Sequence, residues 1–138
     1  MKGSFSFIVR GVNLDFDGIS NKLRLSPTST IKKGQPLRIG GSSTALYDIW
    51  RLEIELSEQS EPEDVLRQLL QKLTPSSKTI NEMIEEYKEV SIHCYLRSDY
   101  GQMGVSLSNE MLRKLAVLGV SIDFHILSYG KVQGRIEN

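Results

Sequence analysis

The sequence is poor in cysteine, has no excess of charge of either sign and contains no long apolar run. Its one cysteine, Cys94, excludes an intrachain disulfide and fits a cytoplasmic location. Lysine plus arginine equals aspartate plus glutamate at 17 each, so we expect no overall attraction to nucleic acid or to an anionic membrane. No apolar run approaches the roughly 20 residues of a membrane span. Residues 1–4 lead directly into an alternating pattern rather than into a signal peptide.

Motifs for metal binding and catalysis are absent too. The sequence has no H-x-x-x-H or clustered Cys/His spacing, no G-x-x-x-x-G-K-[ST] phosphate loop and no G-x-S-x-G nucleophile elbow. The sequence therefore predicts no cofactor and no metal site, and it indicates no catalytic residue.

What is present is the composition and periodicity of a single α+β domain over residues 1–138. Hydrophobic residues make up 39% and charged residues 25%, which is ordinary for a globular protein. Alternating patterns predict strands at 4–10, 49–56, 90–97 and 120–127. In the last strand, Val120, Ile122, Phe124 and Ile126 are expected to face the core.

Apolar spacings of three and four residues predict the helices. They are a short helix capped by Asp15 or Asp17, one with a capping box of Ser60 and Glu63, one around Ile80, and one from Ser108 to Gly119. The irregular segment between them predicts a minor hairpin at 35–49, with Gln35–Ile39 and Ala45–Ile49 as its arms.

The element order β-α-β-α-α-β-α-β predicts a two-layer α+β sandwich of the ferredoxin-like type. Right-handed crossovers would place all helices on one face of a single sheet. The strand order 4-1-3-2 follows by analogy with that fold.

Several phrases, in this order along the chain, carry a resemblance to a known family. They are Leu23-x-Leu25-Ser26-Pro27-Thr28, Lys33-Gly34, Trp50, Leu107-Ser108-x-Glu110 and Leu118-Gly119. Over almost its whole length the sequence resembles the uncharacterised bacterial proteins of domain of unknown function (DUF) family 4279. Gln35 stands where an acidic residue is expected in that family. The resemblance implies no established activity and transfers no catalytic residue.

The polar phase of the predicted strands supplies a candidate binding face that contains both histidines of the chain. Its members are Arg51, Glu53, Glu55, His93, Tyr95, Arg97, Asp123 and His125. One interpretation is a shallow site in which a histidine acts as acid, base or ligand beside a carboxylate. The other is a solvated sheet face or a dimer interface, because ionisable residues belong on an exposed strand face.

The predicted strand order argues against a metal at this face. In the order 4-1-3-2, His93 and His125 lie two strands apart, about 9 to 10 Å at the usual strand spacing. That separation is too wide for easy shared ligation.

Two further features have a functional and a plain interpretation. Lys32, Lys33 and Gly34 form a candidate anion loop, because lysines and unpaired backbone N–H groups attract phosphate or carboxylate, although a plain exposed loop is the favoured interpretation. Cys94 lies on the apolar phase of its strand, where a thiol is normally a small buried hydrophobe.

Three functions remain open from the sequence. The first is a non-catalytic protein-interaction module with a protein partner or a second copy. One form of it, by analogy alone, is an immunity-type protein that neutralises a toxin. The second is a small-molecule-binding regulatory domain. The third is a hydrolase or lyase that uses His93 or His125.

Overall fold

The computed structural model describes residues 2–37, 41–101 and 103–131, over which strands alternate with helices. The strands are β1 (Lys2–Gly11), β2 (Ser29–Ile31), β3 (Asp48–Leu56), β4 (Glu89–Tyr100) and β5 (Ser121–Lys131). The helices are α1 (Phe16–Leu23), α2 (Pro62–Leu73), α3 (Ser77–Glu86) and α4 (Asn109–Leu118), with a 3-10 turn at Thr74–Ser76. The predicted α+β class is therefore confirmed. Within the described ranges, no helix is long and apolar enough to cross a membrane.

The helix ends follow the local chemistry of the chain. The Asp15 carboxylate caps α1 and the Ser108 hydroxyl caps α4, each accepting a backbone N–H from the first turn of its helix. Gly119 ends α4 in the left-handed conformation, with a φ of 72°, which glycine adopts without the steric cost of a Cβ. These ends leave only two residues between α4 and β5.

The sheet has the order β2-β3-β1-β4-β5, so the predicted strand order is wrong. β1 lies between β3 and β4 and is antiparallel to both, while β5 pairs in parallel with β4. In the numbering of the four predicted strands, the observed order is 2-1-3-4 instead of the ferredoxin-like 4-1-3-2. The short link after α4 returns the chain beside the strand that precedes the helix, and consecutive elements are usually neighbours in space.

The region of the predicted hairpin is described in part. Residues 38–40 at its turn lie outside the described residues, but the flanks are joined by a backbone bond from the Ala45 N–H to the Gln35 carbonyl at 2.9 Å. The sequence did not predict β2, which precedes this region in the chain and pairs with β3. Three residues are too few to show a period.

One hydrophobic core joins the helices to one face of the sheet. The strand side chains in it include Phe5, Phe7, Val9, Trp50, Leu52, Val90, Ile92, Cys94 and Leu96, and the helix side chains include Ile19, Leu66, Leu70, Ile80, Met83, Met111 and Leu115. Trp50 is fully buried, and its indole N–H donates to the Ser20 hydroxyl at 3.0 Å. The opposite sheet face is called the polar face below.

The edge strand departs from the predicted core. Phe124 and Ile126 stand opposite Cys94 and Leu96, on the helix side of the sheet as predicted. They are nevertheless 39% and 57% exposed, respectively. The expectation that they help to build the core is wrong, because β5 is the last strand of the sheet and the helices do not cover its outer part.

Candidate functional site

The strand register gathers the residues of the candidate binding face into rows on the polar face. One row runs across the strands as Glu53, Ser6, His93 and Asp123, and the next as Glu55, Ser4, Tyr95 and His125. Arg51 stands opposite Ile8, and Arg97 stands opposite Leu127. All eight residues are thus on one side of the sheet. That this side binds a partner stays a prediction.

Small side chains form the floor of the polar face. Ser4, Ser6 and Ser91 are buried there, beneath the longer side chains around them. The Ser6 hydroxyl donates to Glu53 Oε2 at 3.0 Å. The centre of the face is therefore a recessed, hydrogen-bonded polar surface.

Two histidines and two carboxylates converge where β4 meets β5, and we call Glu89, His93, Asp123 and His125 the histidine cluster. His93 Nε2 lies 2.8 Å from Glu89 Oε2 and 3.7 Å from Asp123 Oδ2. His93 Nδ1 lies 2.9 Å from His125 Nε2. The predicted separation of about 9 to 10 Å between the histidines is wrong, because their strands are neighbours and not two strands apart.

The contact between Glu89 and His93 depends on the residue between them. Residues four apart on a strand are separated by roughly 13 Å along the backbone, so both side chains must lean toward each other. They meet above Ser91, which is small and buried and donates its hydroxyl to Glu89 Oε2. A longer side chain at this position would separate the two groups.

Glu89 is held as an anion by its neighbours. Burial would raise the pKa of Glu89, but hydrogen bonds from Ser91 and His93 and the nearby charge of Arg10 outweigh it, and the pKa lies below its usual value. The Arg10 guanidinium is 2.7 Å from Glu89 Oε1. The other oxygen, Oε2, faces His93.

Three aromatic rings stack along this part of the polar face. The His125 ring lies 4.6 Å from the Tyr95 ring and 5.1 Å from the His93 ring, with interplanar angles of 14° and 13°. Burial raises the pKa of Tyr95, so its phenol stays neutral. The stack fixes the orientation of His125 and thereby of the nitrogen that meets His93.

The charges around His93 Nε2 favour a proton on this nitrogen. This nitrogen faces two carboxylates, and a bare imidazole lone pair there would be repelled by their negative charge. The Nδ1 atom can donate to His125 Nε2 or accept from it, depending on the tautomer. The hydrogen bond between the two rings therefore links their tautomers.

The structure also shows an open cavity of about 550 Å³ near the start of β1. It is lined by Gly3, Tyr95, Leu96, Arg97, His125, Ile126 and Leu127. Among the predicted face residues, Tyr95, Arg97 and His125 border this cavity, while Glu53 and Glu55 border a second one beside Lys2 and Glu58. Arg51 belongs to neither cavity, and its Nε is buried without a hydrogen-bond partner among the described residues.

The candidate anion loop is already engaged within the chain. The backbone N–H groups of Lys32, Lys33 and Gly34 donate to Gln35 Oε1, Asp48 Oδ1 and the Ala45 carbonyl at 2.6, 2.8 and 2.8 Å, respectively. Asp48 is buried, and the N–H of Lys33 is the main cause of its lowered pKa. The loop does hold a carboxylate, but that carboxylate is the chain's own, and binding of an external anion stays a prediction.

Cys94 is fully buried on the core side of β4. Burial raises the pKa of its thiol to about 12. Because the thiolate is the nucleophilic form, this cysteine is inert in the folded chain.

Sequence reasoning missed three residues that build the cluster. Glu89 and Ser91 continue the alternation that contains His93, but Glu89 lies just before the predicted start of the strand. Arg10 stands opposite Glu89 on β1. Extending the polar phase of each strand by one residue would have found Glu89, whereas the contact with Arg10 required the strand pairing.

The fold and this face define a small α+β protein built on one mixed, five-stranded sheet. A family model described as Domain of unknown function (DUF4279) matches residues 1–129, and the chain belongs to this family. The predicted resemblance is thereby confirmed. No curated protein and no solved structure matches the chain.

Proposed function

We propose that this chain is a non-catalytic protein-interaction module that associates with a second copy of itself through the outer edge of β5. The observation that supports this is a run of exposed apolar side chains on the last strand of the sheet. Residues 121–127 of that strand are called the β5 edge below.

The β5 edge has the properties of a strand that pairs with another chain. Among the described residues, β5 pairs with β4 alone. Phe124 and Ile126 are exposed on the helix side, and Leu127 is 53% exposed on the polar side. Edge strands that stay unpaired are usually protected by charged side chains, above all lysine, or by proline; residues 121–127 contain no lysine or proline, and Asp123 is their one acidic residue. Pairing with another strand would cover apolar side chains on both faces.

A second copy is the partner that this edge fits best. Two identical strands that meet antiparallel across a two-fold axis present the same groups to each other, so one surface supplies both halves of the interface. The chain has a formal net charge of zero, so two copies do not repel each other as a whole. The immunity-type form, in which the partner is a toxin, rests on analogy and stays a prediction.

Sedimentation velocity of matched double variants tests this proposal. Ile126→Lys/Leu127→Lys places two charges at the β5 edge, whereas Val117→Lys/Leu112→Lys places them on α4. The four side chains have similar exposure, at 57%, 53%, 58% and 51%, respectively. We expect the wild type and the α4 variant to sediment as dimers of the 15.6 kDa chain and the β5 variant as a monomer. A monomeric wild type, or equal dissociation of both variants, would overturn the proposal.

The cavity beside β5 supports small-molecule binding as a second candidate function. Its lining combines apolar side chains with the guanidinium of Arg97 and the ring of His125, and its volume of about 550 Å³ is in the range of ligand sites. A metabolite bound there would stabilise the fold by about 2.7 kcal/mol at a hundredfold excess over Kd. Thermal shift across a metabolite library, with Arg97→Ala as the comparison, measures this. A flat response would exclude the candidate.

The third function, a hydrolase or lyase that uses His93 or His125, has a narrower basis. The Glu89–His93–His125 chain has the connectivity of a proton relay. Among the described residues neither histidine is hydrogen-bonded to a serine, threonine or cysteine side chain, so this function stays a prediction.

A further inference from the structure

We propose that the histidine cluster is a binding site for a first-row divalent transition-metal ion such as Zn²⁺. Its ligands are His93 Nε2, Glu89 Oε2 and Asp123 Oδ2. All three belong to one chain, so the site does not depend on association through the β5 edge.

The ligand atoms are already gathered at distances close to those of a metal site. They lie within 4.8 Å of one another, with 2.8 Å from His93 to Glu89 and 3.7 Å from His93 to Asp123. A tetrahedral Zn²⁺ about 2.0 to 2.2 Å from each ligand holds neighbouring ligand atoms roughly 3.3 to 3.5 Å apart. Asp123 is about half exposed, so its side chain can rotate toward the other two.

The groups behind the ligands would orient them. His125 Nε2 is placed to accept a hydrogen bond from the Nδ1–H of His93. In that tautomer the lone pair of His93 Nε2 is free for a metal. Arg10 binds Glu89 Oε1 and Ser91 donates to Oε2, so the carboxylate keeps its orientation while Oε2 serves as a ligand. Supporting hydrogen bonds of this kind accompany most protein metal ligands.

The chemistry of the donors selects the class of ion. Imidazole nitrogen favours Zn²⁺ and its neighbours in the first transition row, whereas an all-oxygen site would favour Mg²⁺ or Ca²⁺. Two carboxylates balance the charge of a divalent ion. Three protein ligands also leave a fourth position open.

Binding requires the exchange of a proton for the metal. In the neutral, metal-free ring the proton lies on Nε2, which donates a hydrogen bond to Glu89; a metal at Nε2 requires the other tautomer, with the ring proton on Nδ1, toward His125. Zn²⁺ and a proton therefore compete for His93 Nε2.

Isothermal titration calorimetry tests the proposal. Zn²⁺ is titrated into protein that carries no tag and has been treated with a chelator. We expect one Zn²⁺ per chain, no measurable binding by His93→Ala, and at least about tenfold weaker binding by Asp123→Asn. Glu82→Gln, at an exposed carboxylate on α3 and outside the polar face, is the control and should bind as the wild type does. Circular dichroism of each variant separates loss of the site from loss of the fold.

The outcomes that overturn the proposal are distinct from those that overturn the β5 association. No stoichiometric binding by the wild type, equal binding by His93→Ala, or an equal loss in Glu82→Gln would each refute the site. A stoichiometry of half an ion per chain would refute it as well, because the ligands would then come from two copies. The monomeric Ile126→Lys/Leu127→Lys variant should still bind one ion.

Discussion

His93 and His125 lie side by side on parallel strands, with Nδ1 of the first 2.9 Å from Nε2 of the second. Because His93 Nε2 also faces the Glu89 carboxylate at 2.8 Å, we predict that this nitrogen is protonated in the metal-free protein. Long-range proton–nitrogen correlation spectra report which ring nitrogens carry protons. Glu89→Ala should weaken the preference of the His93 proton for Nε2 over Nδ1. An unprotonated Nε2 in the metal-free wild type would contradict the geometry of the cluster.

Gly3 lies where β1 passes close to the backbone of β4. A Cβ at this position would stand 1.7 Å from the carbonyl oxygen of Tyr95, and the residue has a φ of 152°. We predict that Gly3→Ala lowers the free energy of unfolding by about 2 to 4 kcal/mol, because the two strands must move apart. Urea denaturation, followed by the fluorescence of Trp50, measures the change.

Gly104→Ala is the matched control for that substitution. A Cβ at Gly104 meets no heavy atom within 4 Å, so this variant should unfold as the wild type does. Equal stability of the two variants would mean that the β1–β4 contact is looser than described.

Asp48 makes the stability of the fold depend on pH. Its pKa lies below the ordinary 3.8, chiefly because the Lys33 N–H donates to it, and the Leu14 N–H and the Lys32 charge add to this effect. The unfolded chain therefore takes up the proton first as the pH falls. The stabilisation is complete above pH 3.8 and is lost as the pH falls from 3.8 through the lower pKa of the folded state.

Asp48→Asn should therefore be less stable than the wild type near neutral pH, with a difference that narrows below about pH 4. Urea denaturation at several pH values measures this difference, and Asp99→Asn, at an exposed position, serves as the control. A difference between wild type and Asp48→Asn that is constant with pH would contradict the described role of the carboxylate.

The sequence predicted the elements well because their signals are local. The period of each main strand assigned its side chains to the correct face, and Ser108 and Gly119 marked the ends of α4 correctly. The prediction that Ser60 and Glu63 form a capping box is wrong. The Glu63 carboxylate instead accepts the backbone N–H of Ser108 at 3.1 Å and so supports the start of a different helix. That contact joins residues distant in sequence, and no local pattern contains it.

Three of the four residues of the histidine cluster were predicted to share one face, but Glu89 and the geometry of the cluster were not predicted. Alternation placed His93, Asp123 and His125 on one face, because a side-chain period does not depend on which strands are neighbours. Their mutual distances do depend on it, and an order taken by analogy separated two histidines that are in contact. The exposure of Ile126 has the same origin, since a period cannot show that a strand lies at the edge of the sheet.

A cysteine scan of the β5 edge tests the central claim most directly. Single cysteines are placed in turn at each position of residues 121–127, and disulfide-linked dimers are measured after mild oxidation. Cys94 does not compete, because it is fully buried and its pKa is raised to about 12. Val117→Cys, on the exposed side of α4, is the control.

Pairing across a two-fold axis brings each residue near the axis opposite its own copy, within the roughly 4.4 to 6.8 Å between Cα atoms that a disulfide requires. We therefore predict that cross-linking rises to a maximum at one or two positions of the β5 edge and falls away on both sides. Cross-linking that nowhere exceeds that of Val117→Cys would contradict the account.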